Sequence, residues 1–363
     1  YEGTLVVTQG TVDAQSGAKI GRVEIQGGTF ELNGGTVLNG VKMNSAVTTA
    51  VLNSGIVYAG DSTAIQAENG NVYLNIWNQK DPLTVVADDT RNLVTFGDNG
   101  TVSFEYPDTG KTEYYDSRYV TECVDYDNSS ASYQLRGFWR NMANALMFAD
   151  TNTYLVMNQN ETLNTDTGIE RIYLNDTTHS IELNGYTLRF DSDCQFQVGG
   201  DGDAASTDTW LTIQDESGSG KVELDSPIKI GTMGYLQLKN LEVLRMENGS
   251  FIGYNPIIDH VTIRDTFSSP PISPALIVGA PARDIHELIY ENGVTTFLIS
   301  DESAPDFTIS DSKISVRRGT VFDLRNVTDM QDAQITYDGS VILDAPMSPV
   351  YVSDSVDGET LKA

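Results

Sequence analysis

Apolar residues alternate with polar ones through most of the chain. In the second half the alternation recurs in one form: apolar, any, apolar, any, then Asp or Asn. Successive side chains point to opposite faces of a β-strand, so this form predicts short strands with one buried face. The stretches that follow the form are Ile172–Asp176, Leu211–Asp215, Leu236–Asn240, Val261–Asp265, Leu288–Asn292 and Phe307–Asp311.

The spacing of these stretches predicts a repeat architecture. The steps from Ile213 to Leu238 and from Leu238 to Ile263 are both 25 residues long, which is about one coil of a parallel β-solenoid built from three short strands. Such a coil cannot bury its inner face alone and needs a neighbour. We therefore expect Leu211, Leu236 and Val261 to stack above one another, with the polar strand ends forming hydrogen-bonded ladders.

One segment has helical periodicity. In GFWRNMANALMFAD, residues 137–150, the residues Phe138, Met142, Ala145 or Leu146, and Ala149 fall on one stripe of a helix. The first coil of a solenoid exposes apolar surface, so an amphipathic helix placed before the coils is suited to cap them. The sequence predicts a short capping helix over 137–150.

The first hundred residues have a different texture. Short strands are punctuated by glycine, as in GGTFELNGGTVLNGVKMN at residues 27–44. The stretch 93–106 predicts a β-hairpin around Asp98-Asn99-Gly100, because Asn-Gly favours tight turns. The pattern is interrupted between 107 and 134 by PDTG and DYDNSSAS, which predicts a linker or interdomain segment there.

The order of these elements resembles a known family. The helix, TYLVMN at 153, IYLND at 172, IELNGYTLRF at 181 and WLTIQDESGSGKVEL at 210 are similar to the opening of right-handed parallel β-helix domains of the pectin-lyase-like superfamily. The resemblance is to versions on bacterial surface proteins and some phage tail proteins, and it covers roughly residues 135–345. The glycine-rich repeats before it resemble those of autotransporter passengers and other bacterial surface solenoids.

The predicted fold class follows from this resemblance and the repeat. We expect an all-β chain: a right-handed parallel β-helix with a short N-terminal capping helix, preceded by a smaller glycine-rich β domain. The expected division is a β-solenoid-like or β-meander domain over 1–106, the interdomain segment 107–134 and the β-helix domain over 135–363. The superfamily includes lyases, hydrolases, adhesins and tail spikes, so the fold alone does not select a function.

Charge limits the classes of partner. The chain has 51 acidic residues against 22 Lys plus Arg, a formal net charge of -29, which repels nucleic acid and anionic membranes over about 8 Å at physiological salt. No apolar run approaches the roughly 18 residues of a membrane span. No charged leader precedes Tyr1, so export is not directly readable. Two cysteines, Cys123 and Cys194, are too few for a disulfide scaffold, and a bridge between them stays open.

Catalytic motifs of the superfamily do not fit. Polygalacturonase-like hydrolases need N-T-D, D-D, G-H-G and R-I-K in that order, but Asn164-Thr165-Asp166 follows Asp88-Asp89, and no histidine has the required glycines. Pectate-lyase-like chemistry needs Ca²⁺-binding carboxylates beside a basic residue that removes a proton. Arg189 with Asp191 and Asp193 has these groups, although a solvated outer face explains the same spacing.

Two groups of residues are candidates for ligand binding. The acidic loop 199–210 contains Asp201, Asp203 and Asp208 beside Trp210; it departs from the calcium-hand pattern at Ala205 and Ser206, so a looser Ca²⁺ site or a sugar contact is open. Tyrosines concentrate between 106 and 133, with Tyr114, Tyr115 and Tyr119 as the candidates there. Aromatic rings stack on sugar rings while carboxylates bind their hydroxyls. The alternative is ordinary packing.

These observations favour a non-catalytic extracellular or cell-surface protein that acts in adhesion or binds a polysaccharide or host glycan. They predict no catalytic residue, no metal centre and no cofactor, with Ca²⁺ left open. The alternative is a polysaccharide lyase or glycoside hydrolase with an atypical site on the β-helix face. A purely structural spacer is the third hypothesis.

Overall fold

The structure is a computed structural model. It describes residues 3–77, 80–105, 111–126, 129–164, 169, 171–200, 207–253, 256–266, 276–278, 285–299, 306–324, 334–343 and 350–352. The chain is all-β, with 62% of it in strands and a large, mostly parallel sheet. It divides into two compact units, one of residues 1–145 with 153–159 and one of residues 146–152 with 160–363.

The first unit contains thirteen of the strands in the described residues and one 3-10 turn, Thr90–Asn92. The strands are β1 (Thr4–Val7), β2 (Thr11–Gln15), β3 (Lys19–Ile20), β4 (Arg22–Ile25), β5 (Thr29–Val37), β6 (Val41–Tyr58), β7 (Ile65–Leu74), β8 (Leu83–Ala87), β9 (Val94–Glu105), β10 (Thr112–Tyr115), β11 (Val120–Tyr126), β12 (Ser129–Trp139) and β13 (Thr153–Val156).

The strands of the second unit are shorter at its start and longer towards its end. They are β14 (Glu161–Leu163), β15 (Ile172–Leu174), β16 (Thr178–Glu182), β17 (Thr187–Phe190), β18 (Phe196–Val198), β19 (Thr209–Gln214), β20 (Lys221–Leu224), β21 (Ile228–Ile230), β22 (Gly234–Arg245), β23 (Phe251–Gly253), β24 (Ile257–Asp265), β25 (Leu276–Val278), β26 (Ile285–Ile299), β27 (Asp306–Leu324), β28 (Gln334–Leu343) and β29 (Val350–Val352).

Parallel ladders build the core of the first unit. One ladder runs through β1, β4, β6, β7 and β9 and places Val7, Ile25, Met43, Ala67 and Phe96 in one column. The first four of these side chains are buried, because alternate residues of each strand face inward. A polar ladder, which the sequence predicted only for the second half of the chain, occurs here: Asn53 donates to Asn33 at 2.9 Å, and Asn33 donates to Asp13 at 2.7 Å.

The predicted hairpin at 93–106 is wrong. Residues 94–105 form the single strand β9, which pairs in parallel with β7 and places Asn99 beside Asn69 and Gly100 beside Gly70. A Cβ atom on Gly100 would lie 1.5 Å from the Ala67 carbonyl oxygen. Glycine is therefore needed here for a close backbone approach, which the same Asn-Gly signal does not distinguish from a turn.

Antiparallel strands occupy the stretch predicted as a linker. The strand β10 pairs with β9, β11 pairs with β12 and β13, and β12 pairs with β8. Tyrosine and phenylalanine rings fill the space among them, with Phe104 stacked on Tyr115 at 5.0 Å. Most of the stretch 107–134 is therefore part of the β structure of the first unit.

From β14 to β22, the strands of the second unit pair with a period of three. The strand β14 pairs with β17 and β17 with β20, β15 with β18 and β18 with β21, and β16 with β19 and β19 with β22, all in parallel. Every third strand of this stretch is therefore a neighbour, and we call three such consecutive strands a circuit. Inward residues form columns such as Ile181, Ile213, Leu238 and Ile258, and all four are fully buried.

The predicted register is partly wrong. The step from Ile213 to Leu238 and the pairing of Leu211 with Leu236 are confirmed. The next step is not, since Leu238 pairs with Ile258, and Val261 pairs with Leu241 instead of Leu236. The strand β22 is long enough to carry two inward segments, so the stretch 261–265 stacks on the second of them.

The helix of the described residues, α1, is Met142–Phe148. The predicted start at 137 is wrong, because Phe138 and Trp139 belong to β12 and pair with Thr121 and Val120. Bulky aromatic residues favour strands, and this preference prevails until Asn141. Asn141 caps the helix by accepting a hydrogen bond from the Asn144 amide at 2.8 Å.

Candidate functional site

The outer face of the ladder β16–β19–β22 contains a stacked pair of aromatic rings. Trp210 of β19 and Tyr235 of β22 are register partners, so their side chains leave the sheet side by side. Their ring centroids lie 4.3 Å apart and their planes differ by 8°. Both residues are half-buried, which leaves part of each ring open to solvent.

The stack of two aromatic rings ends at Trp210. On the opposite side from Tyr235, the register partner of Trp210 is Thr178, a much smaller residue. Offset or face-to-face contact with a flat apolar surface is favourable for an indole ring. A threonine side chain covers less of the indole ring on this side than a second aromatic ring would.

The start of β19 is fixed to the preceding circuit by hydrogen bonds. The Asp176 amide donates to Thr209 Oγ1 at 2.8 Å, and the Thr207 amide and hydroxyl donate to Asp176 Oδ1 at 2.9 and 2.6 Å. Asp208 lies between these anchored residues and is exposed. An exposed carboxylate is thus held two residues before Trp210.

A row of hydroxyl and amide side chains follows the aromatic pair on the same face. Ser180, Thr212 and Gln237 are register partners on the three strands, and the Thr212 hydroxyl donates to Gln237 Oε1 at 3.4 Å. Side chains two residues apart on a strand are about 7 Å apart. This distance brings neutral donors and acceptors within reach of a sugar stacked on the rings.

A buried acid organises the turn after β19. Asp215 accepts hydrogen bonds from the Gly185, Ser219 and Gly220 amides and the Ser217 hydroxyl, each at 2.7 Å. Burial alone would raise the pKa of Asp215, but these hydrogen bonds outweigh it and lower the pKa. The carboxylate is fully committed to the turn and is structural.

A polar cleft of about 500 Å³ lies next to this turn. Its lining includes Glu216, Glu242, His260 and Arg264. Glu242 forms ion pairs with Lys221 at 2.9 Å and with Arg264 at 2.8 Å. Because two cations neutralise this carboxylate, it is suited to joining adjacent strands.

The predicted residues of the acidic loop are only partly described. Trp210 is one of the two stacked rings, and Asp208 is an exposed residue two positions before it. Asp201 and Asp203 lie outside the described residues. Sequence reasoning missed Tyr235 and Gln237, although the confirmed step from Ile213 to Leu238 also relates Trp210 to Tyr235 and would have found both.

The predicted tyrosines divide between surface and core. Tyr114 is 62% exposed, whereas Tyr115 is 3% exposed. The ring of Tyr115 stacks on Phe104, and Tyr119 meets it edge-on at 4.6 Å. Packing of the antiparallel strands accounts for Tyr115 and Tyr119, and Tyr114 is the ring of the three that faces solvent.

The residues considered for lyase chemistry form an ion-pair network. Arg189 contacts Asp191 at 3.2 Å and Asp225 at 3.0 Å. Within the described part of the chain, no group of three or more His, Cys, Asp and Glu side chains is arranged to hold a metal ion. Cys123 and Cys194 are buried free thiols, so no bridge joins them.

Comparison with known proteins adds no relative. No protein-family model matches the chain, and neither a curated protein nor a solved structure matches it. No helix in the described residues has the length and apolar character needed to cross a membrane. Function must therefore be argued from the geometry above.

Proposed function

We propose that this chain is a non-catalytic, extracellular or cell-surface protein that binds a polysaccharide or cell-surface glycan through the outer face of β16, β19 and β22. The stacked Trp210–Tyr235 pair beside the Ser180–Thr212–Gln237 row carries the proposal. Sugar rings present apolar C–H faces to aromatic rings and hydroxyls to polar side chains, and this face offers both.

The finer fold belongs to the same proposal. Parallel ladders with a period of three strands support a β-helix, and connections between parallel strands are almost always right-handed. A right-handed parallel β-helix would present the outer face as a rigid, regular surface. Extracellular placement is supported by the resemblance to bacterial surface and phage tail proteins.

A glycan array followed by titration of the retained glycans tests the proposal. The Trp210→Ala variant should lose affinity about tenfold, since an aromatic stacking contact contributes on the order of 1 kcal/mol. Trp210→Phe should retain most of the affinity, and Tyr186→Ala, at a half-buried ring in a turn of the same unit, should bind like the parent. Far-ultraviolet circular dichroism confirms that each variant is folded.

Either of two results would overturn the binding proposal: the parent chain retains no glycan, or Trp210→Ala binds as tightly as the parent. Incubation of the retained polysaccharides with and without Ca²⁺ tests the non-catalytic part separately. New reducing ends or unsaturated products would establish the alternative, a hydrolase or lyase.

A further inference from the structure

A second cleft, of about 720 Å³, lies on the outer side of β18, β21 and β23, on a different ladder from the stacked rings. Its lining includes Arg171, Cys194, Ser226, Pro227, Lys229 and Ile252. The proposed glycan face contributes none of its residues to this cleft. The cleft is therefore separate from the proposed glycan-binding face.

Two cations border the cleft, and one of them is held in a defined position. The Arg171 guanidinium lies 5.0 Å above the centroid of the Tyr173 ring and donates a hydrogen bond to the side-chain carbonyl of Gln197. The side-chain amide of Gln197 donates in turn to the Gly199 carbonyl at 2.9 Å. This chain of contacts orients Arg171 before any ligand arrives.

Lys229 lies next to this arrangement. It is the register partner of Gln197 on the neighbouring strand, and both Lys229 and Arg171 are exposed. The described lining contains one carboxylate, Asp193, against these two cations. In a chain of net charge -29, an excess of positive charge at a cleft favours an anionic ligand.

Ser226 gives an independent indication of a ligand. It lines the cleft, is 2% exposed, and its hydroxyl has no hydrogen-bond partner in the protein. A buried hydroxyl without a partner is costly, and native structures rarely leave one. A hydrogen-bonding group of a ligand in the cleft would satisfy it.

The remaining wall is apolar in character. Pro227 and Ile252 are half-buried side chains of the lining. Burial, with further contributions from Asp193 and Asp191, raises the pKa of Cys194 to about 12. The thiol therefore stays protonated at neutral pH and acts as part of the apolar wall, since the thiolate is the reactive form.

We propose that this cleft is a binding site for a small organic anion, a carboxylate or sulfonate attached to an apolar body. Arg171 and Lys229 bind the anionic group, Ser226 hydrogen-bonds to it, and Pro227, Cys194 and Ile252 contact the apolar body. The contact with Tyr173 and Gln197 makes Arg171 the better-oriented cation of the two.

Isothermal titration calorimetry with three matched probes tests the site in the full chain. Naphthalene-2-sulfonate and naphthalene-2-carboxylate should bind, and the uncharged naphthalene-2-sulfonamide should bind at least tenfold more weakly. The Arg171→Gln and Lys229→Gln variants should each weaken sulfonate binding about tenfold, and Ser226→Ala should weaken it severalfold. Lys239→Gln, which removes a cation from β22 on the ladder of the stacked rings, is the matched control. It should bind the sulfonate as tightly as the parent.

Three outcomes would overturn the inference: none of the probes binds, the neutral probe binds as tightly as the anions, or Arg171→Gln and Lys229→Gln bind like the parent. Both substitutions are at exposed positions, so loss of fold is not expected. Circular dichroism of each variant checks this, and if Arg171→Gln or Lys229→Gln unfolds it is replaced by the methionine variant at the same position.

Discussion

His179 is a titratable residue at an inward position of the second unit. Its register partner is Leu211, which pairs in turn with Leu236, and His179 itself is 1% exposed. Burial lowers the pKa of His179 from 6.5 to about 4, because the charged imidazolium is poorly solvated there. The neutral form is therefore the one that the folded chain accommodates.

This residue predicts a pH dependence of stability. Because the pKa of His179 is lower in the folded chain than in the unfolded chain, its contribution to the free energy of unfolding is fully present above about pH 6.5 and is lost as pH falls towards about 4. The loss amounts to at most about 1.4 kcal/mol per pH unit. The His179→Leu variant should show a flatter decline of the free energy of unfolding across this window. Urea unfolding at several pH values measures the difference.

Leu211→Met is a suitable control for this experiment, since it perturbs the same column and leaves the titrating group in place. It should decline with pH as the parent does. If His179→Leu and the parent decline in parallel between pH 6.5 and 4, the imidazole is solvated and the burial argument is wrong.

At the scale of the strand, alternation was readable, and register was readable from β19 to β22 but not from β22 to β24. The pattern predicted that Leu211 and Ile213 face inward and that Trp210 faces outward, and all three do. It could not predict that Leu238 pairs with Ile258, because strands of all three ladders share the same alternating form. Register depends on turn lengths and on packing between circuits, which no single stretch encodes.

The residues of the candidate site also differ in whether one local stretch reveals them or the pairing of strands is needed. Trp210 was predicted because an aromatic beside acids is visible in one local stretch. Tyr235 belongs to the next circuit, and its position beside Trp210 follows from the register of β19 and β22. Ser226 and Lys229 were not predicted, since a cleft and a hydrogen-bond partner missing from a buried hydroxyl are properties of the packed chain.

The strands β22 and β24 bring an ion pair into the interior. In the column of Phe190, Leu224, Arg245 and Asp265, the last two side chains are 1% and 0% exposed and meet at 2.7 and 3.0 Å. The two contacts form a bidentate pair, the geometry in which arginine binds carboxylates most strongly. The ion pair joins the paired strands β22 and β24 at a point where the column would otherwise be apolar.

Breaking one side of this pair should be costly. Asp265→Asn leaves the Arg245 guanidinium buried without its counter-charge and should lower the free energy of unfolding by about 3–5 kcal/mol. The double variant Arg245→Met with Asp265→Leu should regain most of that loss, since no buried charge remains. Urea unfolding of the parent, Arg245→Met, Asp265→Leu and the double variant gives the coupling energy.

The outcome that contradicts this account of the pair is additivity. If the double variant loses as much stability as the two single variants together, the two side chains do not interact as described. If Asp265→Asn loses less than about 1 kcal/mol, solvent reaches the pair.

For the molecule as a whole, register connects the fold to both proposed sites. The ladder that stacks Leu211 on Leu236 inside also places Trp210 beside Tyr235 outside. The ladder that stacks Phe196 on Ile228 inside places Gln197 beside Lys229 outside. A shift of one residue in either ladder would exchange the inner and outer faces and remove the site.

Disulfide trapping measures directly how the next strand of the first ladder, β24, stacks on β22. Gln237 has Ile257 as its partner in β24, whereas Thr262 is paired with Glu242; continuation of the 25-residue step would instead place Gln237 beside Thr262. The double variant Gln237→Cys with Ile257→Cys should form a disulfide under mild oxidation, since adjacent Cα atoms then lie within the roughly 4.4–6.8 Å that a disulfide spans. Peptide mapping by mass spectrometry should find that bridge in the first variant and none in Gln237→Cys with Thr262→Cys. A bridge in the second variant and none in the first would contradict the register of β24 on β22.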